Sequence, residues 1–231
     1  MNNAFLQNNL TQKELSWGIR YLLFQTVFLS RLLSLLNVFL PVPISEVWLN
    51  FLYFSINLGA AFGILQRFLR NFFPIGRKQM LRILGIGLLF FGINQGVSRL
   101  LGQLLSFAVR DFSNVNDQSV SLLVQQNFPI MTIGTVILVP IAEECFFRGV
   151  LFRGLYNRAP WAGWVISVAL FAFLHVMNYV GSFPPLTLAL CFLQYIPAGI
   201  CLAAAYRLSG SLLCPILIHA AVNTVGILSM R

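Results

Sequence analysis

Two adjacent carboxylates, Glu143 and Glu144, lie within a long apolar run of the sequence. The chain has only six acidic residues, and an acidic side chain at membrane depth is costly unless it faces a cavity or a partner. Arg148 follows Glu144 by four residues, so both lie on one helix face in the favourable order, acid first. The spacing predicts an ion pair between Glu144 and Arg148. Glu143 lies about 100° around the helix from Glu144, so its side chain is free for another role.

The two histidines of the chain also lie in apolar runs. His175 follows Phe171 by four residues and Asn223 follows His219 by four, so each pair shares a helix face. A helical rise of about 1.5 Å per residue puts these groups and the glutamates at similar depth, near the middle of a bilayer core about 30 Å thick. Three helices are thus predicted to bring two carboxylates, two imidazoles and an amide to one level.

These side chains suit the hydrolysis of a peptide bond inside the bilayer. A carboxylate buried in a membrane cavity is a stronger base because burial disfavours its charged form. A histidine beside it can orient a water molecule, and a second histidine with an asparagine can donate hydrogen bonds to a developing oxyanion. The sequence has no GxSxG or HExxH motif, and the predicted chemistry needs neither a serine nor a cysteine nucleophile.

Composition predicts an all-α, polytopic transmembrane bundle that forms a single domain over 1–231. Of the 231 residues, 58% are hydrophobic and 9% are charged, which is typical of a multi-pass membrane protein. A short polar lead-in covers 1–16, and an amphipathic segment at 119–128 is expected at the membrane interface. Seven spans are predicted, at 21–40, 47–69, 83–109, 130–155, 161–179, 186–206 and 212–230.

The charge distribution predicts orientation and partners. Five basic residues surround one short loop after the second span: Arg67, Arg70, Arg77, Lys78 and Arg82. The positive-inside rule then places the N-terminus in the cytoplasm of a plasma membrane protein, with short loops that favour a prokaryotic source. The net charge of +9 is scattered between apolar runs, so no nucleic-acid partner is expected. The four cysteines lie in apolar runs without metal-ligand spacing, and neither a metal nor another cofactor is expected.

A family resemblance covers about 130–230. The three motifs of the CAAX protease and bacteriocin-processing (CPBP, or Abi) family, which includes the type II CAAX prenyl endopeptidases, resemble three segments of this chain: Glu143-Glu144-xxx-Arg148, Phe171-xxx-His175 and His219-xxx-Asn223. The resemblance implies a metal-independent, glutamate-dependent intramembrane endopeptidase in contact with membrane lipid. Its substrate would be a peptide or protein that enters from the cytosol or the bilayer. CAAX-type cleavage, peptide or bacteriocin processing, and self-immunity all remain open.

The same resemblance implies a role for each motif residue. Glu143 and His175 would activate the water, and His219 and Asn223 would form the oxyanion hole. The ion pair predicted between the second glutamate and the arginine would support Glu143.

Two other interpretations stay open at this point. Two glutamates and two histidines are also a possible zinc ligand set, although they would come from three separate helices with a cationic arginine beside them. The second interpretation is a non-catalytic membrane immunity or scaffold protein, in which the polar cluster only fixes helix packing.

Overall fold

The computed structural model describes residues 10–71, 75–110 and 112–231. Within these ranges the chain forms helices and no β-strand, which confirms the predicted all-α fold. In chain order the helices are α1 (Gln12–Val38), α2 (Glu46–Ile64), α3 (Gln66–Arg70), α4 (Arg77–Ala108), α5 (Val115–Gln126), α6 (Phe128–Tyr156), α7 (Pro160–Met177), α8 (Pro185–Ser209) and α9 (Leu213–Ser229).

Among the described residues, six helices are long and apolar enough to cross a membrane: α1, α2, α4, α6, α7 and α8. The apolar helix α9 has 17 residues, and at about 1.5 Å per residue it extends about 26 Å. These seven helices agree with the predicted number of about seven spans, and the protein is a multi-pass membrane protein. The amphipathic segment predicted at 119–128 corresponds to α5. The single domain, the cytoplasmic N-terminus and the prokaryotic source stay predictions.

The first helix begins earlier than the predicted span at 21–40. Residues 1–9 of the predicted lead-in lie outside the described residues, and α1 starts within the remainder because a capping box forms there. The Thr11 hydroxyl oxygen accepts from the Glu14 backbone N–H at 3.1 Å, and Glu14 Oε2 accepts from the Thr11 backbone N–H at 2.9 Å. Glu14 Oε1 also accepts from the Phe68 backbone N–H at 2.8 Å, so this buried acid ties α3 to the start of α1.

Helix α6, which carries both glutamates, is the centre of the bundle. Half of its most apolar segment is buried inside the protein, against 11% for α4, so α6 is surrounded by other helices. Every residue of Cys145–Phe152 is buried. The aromatic side chains of this stretch belong to the main hydrophobic cluster, together with residues of α1, α2, α4, α7, α8 and α9.

Two π-helical turns, Gly134–Leu138 and Cys145–Phe152, flank the glutamates within α6. A π turn is wider than an α turn and shifts the direction of the side chains that follow it, and such turns are frequent at functional sites. The first turn begins at a glycine for a steric reason. A Cβ atom on Gly134 would lie 2.7 Å from Phe54 Cδ2, so its absence allows α6 to pack closely against α2.

Candidate active site

The second glutamate is the best-connected polar residue of the site. Glu144 is completely buried, and its Oε1 accepts a hydrogen bond from Arg148 Nη1 at 3.0 Å, which confirms the predicted ion pair. The same oxygen lies 2.9 Å from Nδ1 of His219 on α9. A carboxylate oxygen can only accept, so with Glu144 ionised the hydrogen sits on His219 Nδ1. Glu144 therefore joins α6 to α9 as well as binding its own helix.

Arg148 extends this contact to two more helices. It is 1% exposed, and its Nη2 donates to the Gly199 carbonyl oxygen of α8 at 3.3 Å. Its guanidinium carbon lies 4.3 Å from the centre of the Phe171 ring on α7, within the range of a cation–π contact. A buried guanidinium with these partners holds α6, α7 and α8 together beside Glu144.

Each glutamate has a buried Oε2 without a hydrogen-bond partner, and Glu143 differs from Glu144 in its surroundings. Its Oε2 is buried without a hydrogen-bond partner, and its side chain lines a pocket between α1, α2 and α6. The pocket has about 290 Å³ of empty space, part of which is open to the surface. His175, His219 and Asn223 do not line this pocket.

His175 is oriented by its own helix. Its Nδ1 lies 2.8 Å from the Phe171 carbonyl oxygen. Since a carbonyl oxygen only accepts, Nδ1 carries the hydrogen, and the neutral ring leaves Nε2 as an acceptor. The ring stacks on Tyr195 of α8 with the two ring centres 4.0 Å apart. Rotation of the imidazole is therefore restricted on two sides.

The Tyr195 contact was not predicted from the sequence. The Tyr195 hydroxyl donates to Asp117 Oδ1 at 3.0 Å and accepts from Asn116 Nδ2 at 3.0 Å, so the ring that covers His175 is tied to the start of α5. The available signal was the polar cluster at Asn114, Asn116 and Asp117, together with Tyr195, one of two tyrosines in α8. Sequence spacing alone does not pair residues 78 positions apart.

Asn223 approaches α6 from α9. Its Nδ2 donates to the Thr135 carbonyl oxygen at 2.7 Å, in the first π turn of α6. This bond uses one of the two amide hydrogens and leaves the second available to another acceptor. Asn223 therefore contributes to the packing of α9 on α6 whatever else it does.

The structure brings three of the six predicted residues into direct contact, namely Glu144, Arg148 and His219. The other histidine is linked to them through Phe171, whose ring centre lies 4.8 Å from the His175 ring and 5.9 Å from the His219 ring. Glu143 and Asn223 make no hydrogen bond to the others in the part of the chain that is described. Within 10–71, 75–110 and 112–231, no group of three or more His, Cys, Asp or Glu side chains is arranged to hold a metal ion.

Comparison with known proteins points to one family. Residues 125–225 match the sequence model of the Rce1-like family, described as type II CAAX prenyl endopeptidase Rce1-like. An Escherichia coli protein described as "Uncharacterized 24.3 kDa protein" is 34% identical over 135 residues, a match that covers 56% of this chain and 56% of that protein. The chain thus spans little more than half the length of this curated relative. No solved structure matches the chain.

The matched region begins just before α6 and ends near the close of α9, so it includes both glutamates, the arginine, both histidines and the asparagine. The helices before it, α1 to α4, lie outside the match. Residues 125–225, which hold all three motifs, are thus similar to the type II CAAX prenyl endopeptidase Rce1-like family.

Proposed function

We propose that the protein is an intramembrane endopeptidase in which Glu143 activates a water molecule for attack on a peptide bond. The observation that supports this most directly is the contrast between two neighbouring carboxylates. Glu144 is bound by Arg148 and His219, whereas Glu143 Oε2 is buried, lacks a partner and belongs to a side chain that lines a pocket. Glu144 Oε2 also lacks a partner, but of the two side chains only that of Glu143 lines the pocket, where a base can reach a water molecule and the proton it removes.

The histidines take complementary roles in this proposal. His175 presents Nε2 as an acceptor, because Nδ1 is held by the Phe171 carbonyl, and an acceptor suits a residue that orients water. His219 has Nδ1 on Glu144, so it donates to an oxyanion only when its ring carries hydrogen on both nitrogens. The adjacent Glu144 carboxylate would offset that positive charge. The resulting arrangement of carboxylate, histidine and reacting group is a common one in hydrolases.

A second candidate function is supported by the same contacts. Three polar side chains each hydrogen-bond to a helix other than their own: Arg148 bonds to α8, and His219 and Asn223 bond to α6. Such links are expected of a network that fixes helix packing. A non-catalytic immunity or scaffold protein would need no more than this. The two functions differ in what they require of Glu143, because the packing network does not use its Oε2.

The test is cleavage of two matched peptides by the purified protein in detergent, followed by mass spectrometry. One peptide ends in a prenylated Cys-aliphatic-aliphatic-X sequence, and the other has the same sequence without the prenyl group. Cleavage of the prenylated peptide alone would assign CAAX-type activity, and cleavage of both would favour general peptide processing. Folded protein that cleaves neither contradicts the proposal.

Metal dependence is tested in the same assay. We expect cleavage to continue in EDTA, because a glutamate base and two histidines supply the proton transfers without a Lewis acid. Loss of cleavage in EDTA with recovery on addition of zinc would instead assign the site to a metalloprotease. The metal content of the same preparation is measured alongside.

Asn223→Ala is expected to lower kcat by about 100- to 1,000-fold with little change in KM, as for the loss of one oxyanion donor. Asn223→Asp should be worse, since it places a negative charge near the oxyanion. Both variants also lose the bond to Thr135, so a modest fall in melting temperature is expected.

Thr224→Val is the matched control for Asn223. The neighbouring Thr224 hydroxyl donates only to the Ala220 carbonyl of its own helix, so its removal should leave kcat unchanged. An Asn223→Ala protein with lower stability but a normal kcat would remove Asn223 from the reaction and leave it a packing role.

A further inference from the structure

The pocket that Glu143 lines is completed by helices outside the matched family region. Three of its other lining residues are polar, Gln25 from α1 and Tyr53 and Asn57 from α2, and the remaining four are apolar. The family match starts at residue 125, so the polar wall opposite Glu143 comes entirely from α1 and α2. Gln25 begins the π turn Gln25–Leu29 of α1.

This wall is a connected set of hydrogen bonds in an otherwise apolar part of the bundle. The Tyr53 hydroxyl donates to Gln25 Oε1 at 2.8 Å, and Asn57 Nδ2 donates to the Tyr53 carbonyl at 3.0 Å. Tyr21, which does not line the pocket, donates its hydroxyl to Asn57 Oδ1 at 2.9 Å. Gln25 and Asn57 are 5% and 6% exposed, so two amides are held in a nearly dry environment.

The wall retains unused hydrogen-bonding capacity toward the pocket. Gln25 Nε2 makes only a long contact of 3.4 Å with Thr26 Oγ1, which leaves its amide hydrogens weakly satisfied. The Tyr53 oxygen is a donor to Gln25 and can accept from a further group. Glu143 Oε2 stands without a partner in the same pocket. Buried polar groups that are not fully bonded are costly, and a bound ligand with matching groups would satisfy them.

We propose that Gln25 and Tyr53 form a substrate-binding wall that hydrogen-bonds the extended peptide backbone of the segment presented to Glu143. This inference rests on the proposed function. A peptide segment that enters a water-poor site brings backbone N–H and C=O groups without partners, and each such pair needs one acceptor and one donor. A carboxamide offers both, and a tyrosine hydroxyl offers both, whereas the apolar walls of the pocket offer neither.

The proposal separates recognition from chemistry along the chain. Residues 125–225 would supply the reacting groups, and α1 and α2 would supply the surface that holds the substrate. The substrate class that fits is therefore an unfolded or extended peptide, since a helical segment has its backbone groups already paired.

The experiment measures binding of a fluorescent prenylated Cys-aliphatic-aliphatic-X peptide to the Glu143→Gln protein in detergent by anisotropy. The Glu143→Gln background removes the proposed base, so the dissociation constant is read without turnover. Adding Tyr53→Phe or Gln25→Met should raise this constant about 10-fold, as for the loss of one buried hydrogen bond to the ligand. In the otherwise wild-type protein the same changes should raise KM similarly and leave kcat within about twofold.

Tyr21→Phe is the matched control, because it removes a tyrosine hydroxyl from the same network but outside the pocket. It should change the dissociation constant by less than about twofold. The proposal is overturned if the peptide does not bind the Glu143→Gln parent, if Tyr53→Phe and Gln25→Met bind as tightly as that parent, or if Tyr21→Phe weakens binding as much as they do. Undiminished cleavage by Glu143→Gln would instead refute the proposed function. The KM values of Tyr53→Phe and Gln25→Met could still be compared with the wild-type value, so the binding wall would be tested separately.

Discussion

Replacing Glu143 by glutamine is expected to lower turnover by about 10²- to 10⁴-fold, the usual contribution of a general base. The change removes the base and is nearly isosteric. Because Glu143 Oε2 has no hydrogen-bond partner in the folded protein, the substitution breaks no observed contact at that atom. The melting temperature should therefore stay within about 2 °C of the wild-type value, which corresponds to at most about 1 kcal/mol for a chain of this size. Single-turnover cleavage and thermal unfolding are measured on one preparation.

Glu144→Gln is the matched control, since it makes the same chemical change one residue away. Glu144 Oε1 accepts from Arg148 and contacts His219, so its neutralisation leaves a buried guanidinium without its counter-charge. We expect Glu144→Gln to lose stability as well as activity. If Glu143→Gln keeps its cleavage activity, or its biological phenotype where no cleavage is found, the carboxylate pair belongs to a scaffold and not to a catalytic site.

Much of the fold could be predicted because long apolar runs are unambiguous. The last three predicted spans begin and end within three residues of α7, α8 and α9, since proline or glycine punctuates each connection. The start of α1 was missed because hydropathy does not register a polar first turn. The capping box at Thr11 and Glu14 was present in the sequence and would have placed this boundary.

The site was predictable only where both partners lie on one helix. The contact between Glu144 and Arg148 follows from their spacing of four residues and is observed. The bond between His219 and Glu144 joins residues 75 positions apart. The helical rise placed His219 and both glutamates at a similar depth in the membrane. It gave no information on which of the two adjacent carboxylates faces α9. That choice depends on helix rotation, which is set by packing across the whole bundle and by the π turns around the glutamates.

The polar wall of α1 and α2 was missed for a different reason. Gln25 and Asn57 are single amides in apolar runs, and neither belongs to a spaced pair of chemically active groups. Isolated polar residues in membrane helices nevertheless face the bundle interior as a rule, because lipid offers them no partner. Applied to the first two spans, that rule would have selected Gln25 and Asn57 as residues that face the interior.

Arg148→Ala is expected to lower the free energy of unfolding by about 3–5 kcal/mol, the range found when one partner of a buried ion pair is removed. Glu144 would keep only His219 as a partner, and the Gly199 carbonyl of α8 would lose its donor. The contact with the Phe171 ring would also disappear, leaving a cavity at the junction of α6, α7 and α8. Unfolding in a titration with SDS, together with the yield of folded protein, measures this loss.

A double substitution separates the charge from the packing. Arg148→Met fills most of the volume but leaves the Glu144 carboxylate buried beside His219 alone, so it should be nearly as unstable as Arg148→Ala. Combining it with Glu144→Gln removes both charges, and replacing a buried pair by neutral groups is often close to neutral in stability. We therefore expect the double variant to recover at least about 1 kcal/mol relative to Arg148→Met, a coupling typical of residues in direct contact. Additive losses from the two substitutions would mean that Arg148 stabilises the bundle through Gly199 and Phe171 and not through Glu144.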